Sequence, residues 1–280
     1  MIRPVLPTIV WTLLVSALLL SPGLAGAGTP LSFGVVPQQS PTKLALVWGP
    51  ILARVEAETG IAVRFSTAPD IPTFERRLAQ GEYDFAYMNP YHYTVFSRKP
   101  GYRALAHARD KHIQGIIVTA RAAPYQSLDE LAGTTLAFPS PAAFAATILT
   151  RAEFDRRGIA ISAKYVASHD SVYRSVAQGL YPAGGGVVRT LAAVAPEVRE
   201  QLRILWTSPT YTPHAIAAHP RVAAAVVAKV QNALIELDQS DAGKALIEPL
   251  QIKGWQAADD REWDDVRALH ITLLDKMLKD

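Results

Sequence analysis

Leu44, Val47, Trp48, Ile51, Leu52 and Val55 follow the spacing of one face of a helix, so the sequence predicts a helix laid by one apolar stripe on a sheet. Gly60 ends it. The run from Leu31 to Val36 before it reads as a buried strand, with the loop Gln38-Gln39-Ser40 between strand and helix. Ala62 to Ser66 reads as a second strand, Ile71 to Gly81 as a second helix and Phe85 to Met88 as a third strand. Asn89-Pro90 stops that strand, because the residue before a proline is pushed out of helical geometry and proline donates nothing to a central sheet. The chain restarts as a helix with Pro90 in its first turn. Strands and helices in alternation imply parallel pairing through right-handed crossovers, hence an α/β lobe.

Further along, Arg103 to His107 and Gln114 to Ala120 read as strands, the second with the continuous apolar core Ile116-Ile117-Val118. The composition then shifts, and the passage into a second lobe is placed at Thr119 to Pro124. Ser127 and Glu130 form a capping-box pattern before a short helix ending at Gly133. Thr134 to Phe138 reads as the second lobe's first strand, followed by the turn Pro139-Ser140-Pro141 and a long helix from Ala142 to Arg157. A strand at Lys164 to Ala167 leads through Ser168-His169-Asp170-Ser171 into another helix, for which Asp170 is the favoured cap. After Gly179 comes the glycine run Gly184 to Gly186, which permits close approach of a helix or a ligand. Arg203 to Thr207 and Ala215 to Ala218 are read as strands returning to the first lobe across the proline-rich segment Ser208 to Pro213. An apolar helix from Pro220 to Asp238 and a final helix carrying Trp263, Val266, Leu269, His270 and Leu273 complete the pattern. The predicted organisation is a leader (residues 1–27), lobe one (28–120), lobe two (121–207) and a return to lobe one (208–280).

The leader is read from Arg3, the apolar run Ile9 to Leu20 and the small residues Ala25-Gly26-Ala27, the parts of a secretory signal peptide cleaved after Ala27. The expected location is the periplasm. The chain has no cysteine, hence no lipid-bearing cysteine and no disulfide framework. A formal net charge of +3 with both signs interspersed and no basic stripe argues against nucleic acid as a partner.

The candidate chemistry gathers where strands hand over to helices. Tyr87, Tyr91 and Tyr93 crowd the turn after the third strand, either as the wall of a ligand cleft or as amphipathic packing residues. In open α/β sheets ligands bind at the carboxyl ends of the strands, where helix N-termini present N–H groups to an anion. Ser168-His169-Asp170 holds the residue types of a catalytic triad, but adjacent residues do not point into one hydrogen-bonded chain, and no Gly-x-Ser-x-Gly elbow is present. The seven histidines show no tight ligand pair, and His107 and His112 meet only across a loop. No phosphate-cradling or dinucleotide motif occurs, so no catalysis, metal or cofactor is expected.

The stretch Asp84-Phe-Ala-Tyr-Met-Asn-Pro-Tyr-His-Tyr93 resembles the strand-to-helix signature of the periplasmic phosphate/phosphite/phosphonate-binding proteins, the solute-binding components of ABC transporters. The resemblance spans nearly all of the chain after the leader. It implies a two-lobed type 2 periplasmic-binding clamshell, each lobe a mostly parallel sheet flanked by helices, that captures a small oxyanion or related polar ligand and delivers it as a monomer to an ABC permease. The alternative it implies is a ligand sensor presented to a membrane histidine kinase. By the same resemblance Gln38, Gln39, Tyr87, Tyr91, Tyr93, Ser140, Ala142, Ala143 and His169 line the cleft. Where the family carries a hydroxyl-rich run, typically Ser-Thr-Ser, this chain reads Pro141-Ala142-Ala143. The acidic residue usual after the second anchoring loop is also replaced, by Leu180-Tyr181-Pro182, which leaves His169 and Arg189 as the chargeable candidates. These departures predict a pocket remodelled for a less charged or bulkier ligand.

Overall fold

The computed structural model describes residues 29–279; the expected signal peptide lies outside the described residues. The first lobe opens with β1 (Leu31–Val35), α1 (Pro41–Thr59), β2 (Val63–Ser66), α2 (Ile71–Ala79), β3 (Phe85–Met88), α3 (Pro90–Phe96) and β4 (Arg103–Ala108). The helix starts are set by side chains that accept otherwise orphaned N–H groups: Ser40 from Lys43, Asp70 from Thr73 and Asn89 from His92. At the end of α1, Gly60 takes φ 69°, the left-handed cap that a glycine adopts freely. Leu44, Trp48, Ile51, Leu52 and Val55 are buried as their spacing requires, packed with Phe33, Phe85 and Trp255.

The second lobe holds β5 (Gly115–Ala120), β6 (Thr135–Phe138), α4 (Thr150–Arg156), β7 (Ser162–Tyr165), α5 (His169–Ala177), β8 (Ala183–Val187) and β9 (Leu202–Thr207). The chain then returns to the first lobe with β10 (Ala215–Ala218), the helix Ala224–Glu236 and β11 (Trp255–Ala257). The first sheet runs β11-β4-β10-β3-β1-β2 and the second β7-β6-β8-β5-β9.

Both sheets are mixed rather than mostly parallel. β1 is parallel to β2 and β3, and β6 to β7 and β8, whereas β10, β11, β5 and β9 pair antiparallel. Parallel pairing is confined to the β-α-β half of each lobe; β5 and β10, the strands that follow the two lobe crossings, run against it, and β4 and β9, which precede them, run with it. The predicted boundaries shift accordingly. β5 pairs with β8 and β9, so the first crossing falls between Ala108 and Gly115, before the predicted site. β9 belongs to the second sheet, inside the bounds 121–207 expected for lobe two, and it is not yet a strand returning to the first lobe; that return begins with β10.

The two crossing segments lie side by side. Ile113 and Tyr211 exchange backbone hydrogen bonds of 2.8 and 3.0 Å, and the Ser208 hydroxyl accepts the Gly115 N–H at 2.9 Å. Two adjacent connections of this kind make a hinge.

Two predicted helices also change form. The stretch after Pro141 opens as a π-helical turn, Phe144–Leu149, that runs straight into α4. In place of a long C-terminal helix, the chain makes a 3₁₀ turn, Asp260–Trp263, and the single-turn helix Asp264–Arg267. No helix among the described residues is long and apolar enough to cross a membrane.

Candidate functional site

The lobes meet in a closed arrangement. The Gln38 carbonyl accepts the His169 N–H at 3.2 Å, and its side-chain Oε1 accepts from Arg189 Nη2 at 2.7 Å. Asn89 Nδ2 donates to the Ala142 carbonyl at 3.2 Å, and the Lys43 ammonium reaches the Ala193 carbonyl. Each pair joins one lobe to the other.

Between these contacts lies a small cavity of about 10 Å³, which has room for about one water. Its wall combines Gln38 and Asn89 from lobe one, Ala143 to Ala146 and His169 from lobe two, and His214 at the hinge. The N–H groups of Phe144, Ala145 and Ala146 open the helical stretch and find no acceptor among the described residues. They are the natural donors for an anionic oxygen, at the positive end of the helix dipole.

Glycines in the sheet put that turn where it is. An ideal Cβ on Gly115 would lie 2.1 Å from the Ala145 carbonyl oxygen, and one on Gly185 would lie 1.9 Å from that of Ala146. The glycine run thus serves close packing of a helix. On the other side of the run, a Cβ on Gly186 would lie 2.3 Å from the Tyr173 hydroxyl.

His169 is 1% exposed, and its Nδ1 lies 3.2 Å from the Thr190 hydroxyl, which is itself 2.7 Å from the Tyr173 hydroxyl. Burial, with the Arg189 charge nearby, pulls its pKa down to about 3. His214 is 4% exposed and stacks on Tyr87 with centroids 4.9 Å apart. Burial first, then the Arg189 charge and the neighbouring His92 and His169, hold it well below the usual histidine range. Both rings are therefore neutral near pH 7 and contribute hydrogen bonds rather than charge. The Nε2 of His214 is buried without a partner, as are Gln39 Nε2 and the hydroxyls of Ser140 and Thr147.

A larger cavity of about 230 Å³ adjoins the first, sharing Ile113, Val187 and His214 with it and adding Tyr87, Lys111, His112, Gln114 and Arg189. Gln39 lies apart from both. It lines a cavity of about 300 Å³ with Ser168, Asp170 and Arg174.

Of the residues singled out in the sequence, Gln38, Ala143 and His169 come together in the small cavity, and Tyr87 lines its neighbour. Ala142 joins the interlobe contact through its carbonyl, and Ser140 is buried at the end of β6 with its hydroxyl free. Tyr91 and Tyr93 point elsewhere. The Tyr91 hydroxyl accepts the Leu274 N–H at 2.8 Å; that of Tyr93 donates to Asp260 at 2.6 Å while its ring packs on Trp263. They anchor the C-terminal segment. Every residue of α3 is buried, so the helix presents no free face to a cleft.

The cap of α5 is Ser168, whose hydroxyl accepts the Ser171 N–H at 3.1 Å, and Asp170 occupies the first turn. His107 is held by Glu262 at 2.7 Å, away from His112. No cluster of three metal-ligating side chains occurs among the described residues. Asn89 and His214 were not distinguished in the sequence. Asn89 read only as a strand stop, and a histidine after a proline in a connecting segment carries no local signal.

The family model for the periplasmic substrate-binding proteins of phosphonate ABC transporters matches residues 33–263. The chain belongs to that family. Its members bind small phosphonates in the periplasm and work with an ABC permease, and the chain is a substrate-binding component of this kind. The fold agrees with solved structures. The binding protein component of an ABC phosphonate transporter from Pseudomonas aeruginosa superposes with a TM-score of 0.80 at 16% identity, over 86% of this chain and 85% of the other. PhnD1 of Prochlorococcus marinus, in complex with methylphosphonate, gives 0.79 at 14% identity, over 89% and 98%. A Xanthomonas citri protein solved with chloride gives 0.64 at 17% identity, over 86% and 99%. No curated protein matches the sequence.

Proposed function

We propose that the chain captures a phosphonate between its two lobes as a monomer and presents the closed form to its permease. The observation that carries this reading is the interlobe wall: three unpaired N–H groups at a helix start face Gln38, Asn89, His169 and His214. Such a wall replaces the hydration of an anionic head with fixed donors. The hydroxyls missing at Pro141-Ala142-Ala143 leave backbone donors to do this, with the unpaired Ser140 hydroxyl beside them. A cavity of about 10 Å³ is smaller than any phosphonate, so entry requires the lobes to part, which the hinge permits. The sensor reading draws no support from the comparisons, and transport stands.

A thermal-shift panel tests this on the chain without its leader. At a hundredfold excess over its dissociation constant, methylphosphonate should stabilise the protein by about 2.7 kcal/mol, which raises the melting temperature by roughly 5–10 °C. Sulfate should do less. If no phosphonate, phosphite or phosphate shifts the transition at millimolar concentration, the proposal fails.

A further inference from the structure

The hinge-side cavity has a lining of one sign. Lys111 and Arg189 are its charged residues, accompanied by His112, His214, Tyr87, Gln114 and Gln251, and among the described residues no aspartate or glutamate lines it. Such a wall repels an ammonium group and attracts an anion. A second observation also points to a ligand. His214 is 4% exposed, its Nε2 has no partner, and the residue lines both cavities. Arg189 is placed to act across both spaces: its guanidinium holds Gln38 of the small cavity at 2.7 Å while the residue lines the larger one. With a bond to Gln38 occupying Nη2, the remaining donors of the guanidinium fork are available to an oxyanion.

We propose that this cavity is a subsite for an acidic substituent, and that the ligand is a phosphonate whose chain ends in a second anionic group, such as a carboxylate. The inference rests on the phosphonate reading of the interlobe site and specifies which phosphonates it takes. The phosphonate head meets the N–H groups of Phe144 to Ala146. The substituent runs past His214 into the hinge-side cavity, where Arg189 and Lys111 face it. A volume of about 230 Å³ accommodates a short substituent of several heavy atoms, beyond what the head group needs. Of the two expectations raised by the altered turn, this selects the bulkier ligand and not the less charged one.

The test is calorimetry at pH 7.5 with methylphosphonate, phosphonoacetate and 2-aminoethylphosphonate, on the wild type and on Arg189→Gln and Lys111→Gln. Phosphonoacetate should bind at least about tenfold tighter than methylphosphonate, the worth of one well-placed charged hydrogen bond, and 2-aminoethylphosphonate should bind more weakly than either. Arg189→Gln should bring the ratio of the first two close to one. Lys111 is exposed, so its variant keeps the test open should Arg189→Gln fail to fold, and it should reduce the ratio by a factor of a few. Methylphosphonate binding as tightly as phosphonoacetate, 2-aminoethylphosphonate binding tightest, or an unchanged ratio in both variants overturns the acidic subsite and leaves phosphonate binding intact. Failure of all three ligands to bind overturns both.

Discussion

Replacing Gly185 by valine is expected to lower the stability of the protein by about 3 kcal/mol or more and to abolish phosphonate binding. Even the first added carbon would lie 1.9 Å from the Ala146 carbonyl oxygen and 2.6 Å from the Phe138 ring. The contact on the helix side is backbone, so it cannot be relieved by turning a side chain. The π-helical turn has to lift off β8, and with it the N–H groups of Phe144 to Ala146 that face the other lobe. At about 2–4 °C per kcal/mol for a chain of this size, the melting temperature should fall by roughly 6–12 °C. Gly49 provides the contrast. It lies inside α1 with nothing near its added Cβ, and alanine there should be neutral or stabilising by about 0.5–1 kcal/mol. Equal melting temperatures for Gly185→Val and the wild type would show that the turn does not depend on this contact.

Acid should open the clamshell. His169 and His214 are neutral in the closed form, with pKa values of about 3 for His169 and well below the usual range for His214. The charged group facing both is Arg189, which itself disfavours their protonation. Once the lobes part and the rings are hydrated, their pKa values return toward about 6.5. The open form then binds protons that the closed form does not, so the advantage of the closed form is intact above about pH 6.5 and declines as pH falls toward 3. At about 1.4 kcal/mol per pH unit His169 alone disfavours closure near pH 5 by roughly 2 kcal/mol, and His214 acts in the same direction. Small-angle scattering of the ligand-free protein should show the radius of gyration rising between pH 7 and 5, with a smaller rise in His169→Gln/His214→Gln. A radius constant to pH 4 would show that neither ring is held neutral by closure.

What could be read in the sequence was local. The stripe on α1, its end at Gly60, and the strand stop at Asn89-Pro90 depend on residues within a few positions of one another, and each is present in the structure. The orientation of α3 was not local. Tyr91 and Tyr93 are claimed by Leu274 and Asp260, which lie 183 and 167 residues away, and nothing near position 91 encodes that pairing. The sheet membership of β5 and β9 was hidden for the same reason, since an apolar strand of five or six residues fits either lobe. At α5 the difficulty was redundancy, because Ser168, Asp170 and Ser171 are all good caps and only the backbone geometry at Ser168 decides among them. Of the residues that line the interlobe cavity, the sequence singled out Gln38, Ala143 and His169. The role of Arg189 emerged only once the fold had placed it beside Gln38 and the hinge.

The central claim, that an anionic head sits between the lobes on the free N–H groups of the π-helical turn, is tested most directly by a crystal structure of the protein grown with methylphosphonate. Phosphonate oxygens should lie within hydrogen-bond distance of the N–H groups of at least two of Phe144, Ala145 and Ala146, with one oxygen within reach of His214 Nε2. Methylphosphonate bound outside the interlobe space, or a cleft closed on itself at saturating methylphosphonate, would contradict it.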